Sequence, residues 1–528
     1  MEASVIGDNT GLQSELDESV RIKIKTISEL PPFIREKRNS GKSVVLAHGV
    51  FDLMHIGHIR HLEAAKKEGD ILIVSITGDG YVSKGPERPV FKETLRAEAV
   101  AALSYVDWVV INHATTAEHV INVLRPNVYV KGVEYADASK DITGNITLEK
   151  KLVNSYGGRL EFTDDITFSS SSLINQHTDF YELSLKDYLS SLRNQGTKER
   201  IFEFIEEIAE YKVLLVGDAI IDEYQYVKSL GKTPKENLIA TLSTGCELFA
   251  GGVIASANHM AEFCKEIEII CAIGEGENGF ESFIRGNLKE NVTLTPIIRP
   301  DIPTTRKCRY IDTGYGMRKL FEVYFMDDHP LLGELENDLI SLIGKKTKGA
   351  DAVIVTDFGH GLIGRRAIDE LVQKRNFLCV NAQSNSANHG FNLITKYPRA
   401  DYICMDQPEA RLAVQENHST IEKVVGQLLP LKVQCPRIVV TTSKNGCVTY
   451  SHEEGLSASP ALTSSIIDTV GAGDAFYSLS ALFVKAGATM EEIGFVGNVA
   501  GAIKVGIVGH RQSVEKTVFK KFVTALLQ

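Results

Sequence analysis

The sequence predicts two α/β domains in one chain, and three observations predict them. Short apolar strands alternate with helical stretches along most of the length. Two unrelated glycine-containing turns each sit at the entry to a helix, and a charged helical stretch separates the two runs. Short buried strands alternating with helices imply parallel sheets covered on both faces. A length of 528 residues suits such a division, being long for a single core.

Residues 1–40 read as an extension, polar at first and then helical until Pro31-Pro32. The first domain, 41–178, opens with the strand Val44-Val45-Leu46-Ala47, followed by Gly49 and a helical pattern to about Lys67. Strands at Ile71–Ile76, Trp108–Ile111, Asn127–Val130 and Arg159–Phe162 alternate with helical patterns at Glu93–Leu103 and Ala117–Leu124. Residues 179–210 carry helical periodicity with many charges and read as a connector. The second domain, 211–528, opens with Val213–Asp218 and continues through strands at 269–272, 352–356, 377–380, 402–404 and 437–441.

Bulk properties narrow the partners. A net charge of −11 argues against nucleic acid, whose binders need excess Lys and Arg, but leaves local nucleotide sites open. The eight cysteines lie between Cys246 and Cys447 without a C-x-x-C pair, as expected of reduced thiols. The acidic, polar start lacks the shape of a signal peptide, and no apolar run is long enough to span a bilayer. The expectation is a cytoplasmic protein with small-molecule partners and no membrane contact.

Gly49-Val50-Phe51-Asp52-Leu53-Met54-His55-Ile56-Gly57-His58 follows a buried strand and enters a helix. A helix start presents N–H groups and a positive dipole end to an anion. His55 and His58, three apart, share one face of the first turn, and Gly57 leaves room for a phosphate. A bare H-x-x-H would read as packed or solvated histidines. The whole string after a strand reads as a phosphate cradle whose imidazoles face charge developing on phosphorus.

This string resembles the H-x-G-H signature of the cytidylyltransferase-like nucleotidyltransferases, and the resemblance covers the whole first domain. Lys84-Gly85-Pro86, Arg88-Pro89, Val106-Asp107-Trp108 and Val130-Lys131-Gly132 resemble the nucleotidyltransferase half of heptose-phosphate adenylyltransferases. Thr167–Ile174 is similar to that family's Ser/Thr motif, with serines in place of threonines. The resemblance implies a Rossmann-like fold, with His55 and His58 catalytic. Gly49, Phe51, Asp52, Gly57, Lys84, Arg88, Lys131, Ser169, Ser170 and Ser171 would hold nucleotide and phosphates. A sugar phosphate brings an ionised nucleophile, so positioning and charge neutralisation suffice for transfer. Mg2+ on the triphosphate is implied, with few protein ligands.

The second constellation is Asp468-Thr469-Val470-Gly471-Ala472-Gly473-Asp474-Ala475-Phe476, ahead of an apolar helix. The glycines allow a turn whose N–H groups converge on an anion, and Asp474 stands where it could accept a hydroxyl proton. A G-x-G-D alone would read as a capped helix. The full string resembles the ribokinase-like (phosphofructokinase B) sugar kinases, which implies an α/β domain with a small lid.

On that resemblance Asp474 is the base, and Asp218, Asp222, Gly251 and Gly252 are sugar-binding. Asp406, Glu409, Thr441, Ser443, Gly446, Gly471, Ala472, Gly473 and Asn498 contact nucleotide or phosphate, with no direct metal ligand but Mg2+ near Asp406 and Glu409. Pro303–Lys307 resembles a substrate or phosphate segment. Three departures stand out. Ala255 replaces an asparagine, Asn381-Ala382-Gln383 replaces D-P-K, and His360 replaces a lysine.

Together the halves resemble the bifunctional enzymes of ADP-heptose synthesis, with the domain order reversed. The resemblance implies ATP as substrate, D-glycero-D-manno-heptose 7-phosphate phosphorylated in one half and AMP transferred to a sugar 1-phosphate in the other, and a homodimer. The alternatives are CTP with another polyol or sugar phosphate in the transferase half, and a kinase half that has another specificity or binds sugar without turnover.

Overall fold

The computed structural model describes residues 18–82, 88–135, 145–163, 183–300, 302–314, 316–373, 376–463 and 465–528. The chain divides into two compact units between Tyr181 and Glu182.

The first unit is a six-stranded, all-parallel sheet. Its strands are β1 (Ile24–Lys25), β2 (Val44–Gly49), β3 (Ile71–Thr77), β4 (Trp108–Asn112), β5 (Val128–Gly132) and β6 (Arg159–Thr163), in the order β1-β4-β3-β2-β5-β6. Alternation along each strand feeds two cores. Val45 and Ala47 pack on one face with Leu62, Ala65, Ala97 and Val100. Val44 and Leu46 pack on the other with Val120, Ile121, Leu124 and Val153.

The expected extension is corrected in part. Ile24 and Lys25 pair with Val109 and Val110, and the helix Leu30–Asn39 buries Leu30 and Ile34 in the sheet's core. Pro31-Pro32 does not end a helix here but starts one. The first-turn N–H groups of a helix have no partner within it, so proline costs nothing there and pre-sets the backbone angle.

The second unit contains β7 (Lys212–Gly217), β8 (Ala219–Lys232), β9 (Ile239–Gly252), β10 (Glu266–Gly274), β11 (Val292–Arg299), β12 (Thr305–Asp312) and β13 (Arg318–Phe325). It continues with β14 (Ala352–Asp357), β15 (Phe377–Ala382), β16 (Tyr402–Asp406), β17 (Arg437–Thr441), β18 (Cys447–Ser451) and β19 (Gly455–Ser459). Nine of these form a sheet ordered β11-β10-β7-β14-β15-β16-β17-β18-β19, parallel as far as β17 and antiparallel beyond. The other four form a separate sheet, β13-β12-β8-β9, the small lid. The helix Ala472–Lys485 runs buried against the large sheet, where Tyr477 donates to the Val355 carbonyl at 3.0 Å.

From residue 183 the expected connector is helical and packs on the second unit. Its helices Leu183–Asn194 and Thr197–Ile208 bury Leu185, Leu189, Leu192, Ile201, Ile205 and Ile208 within the second unit. Tyr188 donates to Ser459 Oγ at 2.9 Å, and Arg200 pairs with the buried Glu492 at 2.6 Å. An apolar stripe at helical spacing needs a surface to cover it, and the charges occupy the outer face. All eight cysteines are free thiols, seven of them buried. Among the described residues no helix is long and apolar enough to cross a membrane.

Candidate active sites

In the first unit β2 lies between β3 and β5. The chain moves outward to β3 and β4 on one side and later to β5 and β6 on the other. Crossovers therefore diverge at the C-terminal ends of β2 and β5, leaving a crevice where ligands of such sheets bind. Gly49–His58 starts at the last residue of β2, and Lys131 is the last residue but one of β5.

The turn is tight enough to place Phe51 (φ 51°) and Leu53 (φ 45°) in the left-handed region, a strain typical of functional loops. A side chain on Gly49 would come within 3.1 Å of the Phe51 ring. His55 caps the helix Ile56–Lys67, its Nδ1 accepting the Gly57 N–H at 3.1 Å. The His55 and His58 rings stack with centroids 3.9 Å apart, and Phe51 meets His58 edge-on at 5.5 Å.

Asp52 is buried, and its carboxylate accepts the N–H groups of Val90 (2.8 Å) and Phe91 (3.1 Å). It thereby fastens the segment that begins at Arg88 beside the histidine turn. Lys131 Nζ lies 3.6 Å from the buried Glu149 and over the rings of Tyr129 and Tyr135. Lys84, Ser169, Ser170 and Ser171 lie outside the described residues.

In the second unit a cavity of about 1250 Å³ opens beside the helix Ala472–Lys485. Seven of the nine expected nucleotide residues line it: Asp406, Thr441, Ser443, Gly446, Ala472, Gly473 and Asn498. Gly471 (φ 77°) forms the turn at its edge, where a left-handed backbone favours glycine. Gly446 is glycine for want of space, since a side chain would strike the Ser459 carbonyl at 2.0 Å. Asn498 Nδ2 donates to the carbonyls of Ser459 (3.1 Å) and Pro460 (3.0 Å), so it braces the cavity wall.

Asp474 is half-buried in the first turn of that helix. Burial pushes its pKa up, and the nearby His510 charge and a hydrogen bond from Gln383 moderate the rise. The Asp406 and Glu409 side chains each accept the other's backbone N–H in a capping box, and Glu409 also takes Ser384 N–H at 2.8 Å. Burial, with the Asp406 charge added, pushes Glu409 up to about 8. Among the described residues no group of three or more His, Cys, Asp or Glu is arranged to hold a metal ion.

The expected sugar-binding residues lie at the end of β7 and on the lid strands β8 and β9. Asp218 is buried and accepts the N–H groups of Phe358 (2.9 Å) and His360 (3.3 Å). Burial would raise the Asp222 pKa, but the His510 hydrogen bond and the Arg309 charge hold it below the usual carboxylate range. Gly251 and Gly252 pack on both aspartates: a Cβ would fall 2.1 Å from Asp222 Oδ2 and 2.4 Å from the Asp218 carbonyl.

Residues 211–517 match the pattern of the pfkB family carbohydrate kinases, more than half of the chain. The chain belongs to the pfkB carbohydrate kinase family. Ahead of that region, residues 46–177 of this pfkB-family chain match the cytidylyltransferase-like family. Bifunctional protein HldE of Syntrophotalea carbinolica is 36% identical over 171 residues, 32% of this chain and 33% of that protein. Its counterpart in Geotalea uraniireducens is 38% identical over 154 residues, 29% of this chain and 30% of its own. The chain thus spans about a third of the length of these curated relatives. A solved Arabidopsis thaliana ribokinase aligns with 60% of this chain and 99% of its own at 16% identity and a TM-score of 0.46.

Two of the three departures have polar partners. Gln383 Nε2 bridges Asn381 Oδ1 (3.0 Å) and Asp474 Oδ1 (2.9 Å). His360 is buried with Nδ1 2.9 Å from Asp328. Ala255 is buried in the helix Val253–Ala261.

Sequence reasoning missed Arg96. This arginine is 1% exposed and donates to the carbonyls of Val50 (2.6 Å), Thr77 (2.9 Å) and Phe91 (2.9 Å) and to Asp79 (2.6 Å). It knots together the ends of β2 and β3 and the segment after Arg88. The available signal was an arginine on the apolar face of Glu93–Ala101, among Ala97, Val100 and Ala101.

Replacing Arg96 with Met leaves three carbonyls without their donor, and lowers first-unit stability by about 3 kcal/mol or more. Fluorescence of Trp108, the single tryptophan, during urea unfolding reads this unit alone. Glu409 stays protonated in the folded chain up to about pH 8 but ionises near 4.5 when unfolded. Its contribution is therefore full below pH 4.5 and is lost as pH rises through about 8. Hydrogen exchange of Ala472–Lys485 against pH should show that decline, and Glu409→Gln should flatten it.

Proposed function

We propose that the chain is a bifunctional enzyme of nucleotide-activated sugar synthesis, with a sugar-phosphate kinase in its second unit and a nucleotidyltransferase in its first. The observation that carries the reading is Asp474, held by Gln383 at the edge of the 1250 Å³ cavity and preceded by the glycine turn. In the kinase reaction a sugar hydroxyl loses its proton to Asp474 as its oxygen bonds to the γ-phosphorus of ATP, and the bond to the β-phosphate oxygen breaks to release ADP. The N–H groups around Gly471–Gly473 face the transferred charge. The raised pKa of Asp474 brings it closer to neutral pH, where a base works best.

In the first unit an oxygen of a sugar 1-phosphate attacks the α-phosphorus of a nucleoside triphosphate and pyrophosphate leaves. His55 and His58 stabilise the pentacoordinate phosphorus, with Lys84, Arg88, Lys131 and the serines 169–171 holding phosphates. Mg2+ would sit near Asp406 and Glu409, and when bound would neutralise phosphate charge.

ATP serves both halves in this reading, and the sugar is D-glycero-D-manno-heptose 7-phosphate and then the corresponding 1-phosphate, giving ADP-heptose. Resemblance to the heptose enzymes supports that choice. The His360–Asp328 pair, in place of a lysine, favours a second reading in which the kinase takes a different sugar and the transferase takes CTP. Exposed Phe321, Val323 and Phe325 on β13 support a homodimer through the lid.

Supplying heptose 7-phosphate, ATP, Mg2+ and a bisphosphate phosphatase, with products read by mass spectrometry, tests the proposal. ADP-heptose is the expected product. A bisphosphate without nucleotide sugar reopens the transferase's substrate, and no product at all removes the heptose. Asp474→Asn should lower phosphorylation about a hundredfold or more while nucleotide transfer continues. His58→Ala should do the reverse. Loss of both activities from either change in a folded chain would overturn the two-site arrangement.

A further inference from the structure

Lys504 is 0% exposed at the end of the helix Met490–Lys504, within the apolar run Val499–Val505. A lysine is almost never sealed from water unless its charge is matched. Here Nζ donates to two backbone carbonyls, Val470 at 2.8 Å and Gly509 at 2.6 Å. The N–H groups of the same two residues go to one carboxylate, Val470 to Asp468 Oδ1 at 3.1 Å and Gly509 to Asp468 Oδ2 at 2.8 Å. A cation thus holds the carbonyls, and an anion the N–H groups, of one residue in the Asp468–Asp474 turn and one in the loop that follows the helix.

Asp468 is itself fixed by Tyr224 (2.6 Å) and Lys319 (2.8 Å), and it is depressed to about 2 against the effect of its burial. The next residue after Val470 is Gly471, which opens the anion hole. A Cβ there would meet His510 Cε1 at 2.4 Å and Lys504 Cε at 3.2 Å. The lysine therefore backs directly onto the turn. Burial depresses its own pKa to about 8 while Asp468, Asp474 and Asp222 oppose the fall, so it is charged at neutral pH. A primary ammonium matches a potassium ion in charge and approaches it in size, and backbone carbonyls ligate potassium well.

We infer that Lys504 is a built-in cation of the kinase site: a positioning residue whose ammonium clamps Val470 to Gly509, fixes the anion-hole turn before Asp474, and lets phosphoryl transfer run without an added monovalent cation. The inference rests on the kinase reading for its turnover consequence and on geometry alone for the clamp.

The test uses the full chain, with sugar-dependent ADP release assayed in tetramethylammonium buffer before and after adding potassium or ammonium. Wild type should change less than about twofold, since its cation is already in place. Lys504→Met should lose on the order of tenfold or more of kcat, the scale of lost charge-assisted hydrogen bonds, and regain much of it with potassium or ammonium. Nucleotide transfer by the same preparation should be unaffected. Manyfold stimulation of wild type by potassium would overturn the inference, even if the variant failed to fold. So would full turnover by folded Lys504→Met, or a loss that neither ion restores.

Deuterium uptake of the peptide covering residues 468–475 reads the clamp separately. It should rise in Lys504→Met and fall again with ammonium, and unchanged uptake would overturn the clamp. A wild-type chain with no sugar-dependent ADP release would count against the kinase reading, with this exchange measurement still deciding the clamp.

Discussion

A parallel sheet covered on both faces binds ligands where its strands end, and both units depend on one strand whose neighbours are reached from opposite directions. In the first unit β2 has β3 and β4 to one side and β5 and β6 to the other; in the second, β7 has β10 and β11 to one side and β14 to β17 to the other. No crossover closes the gap beyond such a strand. The fit there is tight: a Cβ on Gly217, the last residue of β7, would lie 2.1 Å from Thr356 Oγ1. That contact lets Asp218 reach the N–H groups beyond β14, and the equivalent exit from β2 delivers the histidine turn.

Within the second unit the carboxylates divide into two kinds by their surroundings. Asp222 and Asp468 are depressed because each meets cations and donors that outweigh burial. Asp474 and Glu409 are raised because burial outweighs the donors they have. The first kind is structural in its electrostatics, holding the lid and the turn in place. The second kind holds its proton more readily. One constellation of acids thus acquires opposite electrostatics from environment alone.

The motifs that sequence revealed are those whose parts are neighbours in the chain. Gly49–His58 and Asp468–Phe476 each bring their groups together within a single turn, so residue order alone implies geometry. Gln383, Arg96 and Lys504 were opaque because each also reaches a partner far off in sequence: Gln383 serves Asp474, Arg96 serves Val50 and Lys504 serves Val470. Gln383 even read as a loss, because the residue it replaces was legible and the contact it makes was not. Pro31-Pro32 misled for a local reason, since proline marks helix starts as readily as helix ends. The charges of 179–210 drew attention from an apolar stripe that needed a surface to bury it.

The hydrogen bond from the Gly57 N–H to His55 Nδ1 has a chemical consequence for what the first unit can accept. With the Nδ1 lone pair committed to the backbone, the neutral ring carries its proton on Nε2. Such an imidazole can give a proton or polarise a neighbour, but it has no lone pair left with which to remove one. In the proposed transfer an alcohol, which must be deprotonated before it attacks, would find no base in His55. A phosphate monoester needs none. The cap thus takes one of the two imidazoles out of use as a base, and its ring suits an acceptor that arrives already ionised.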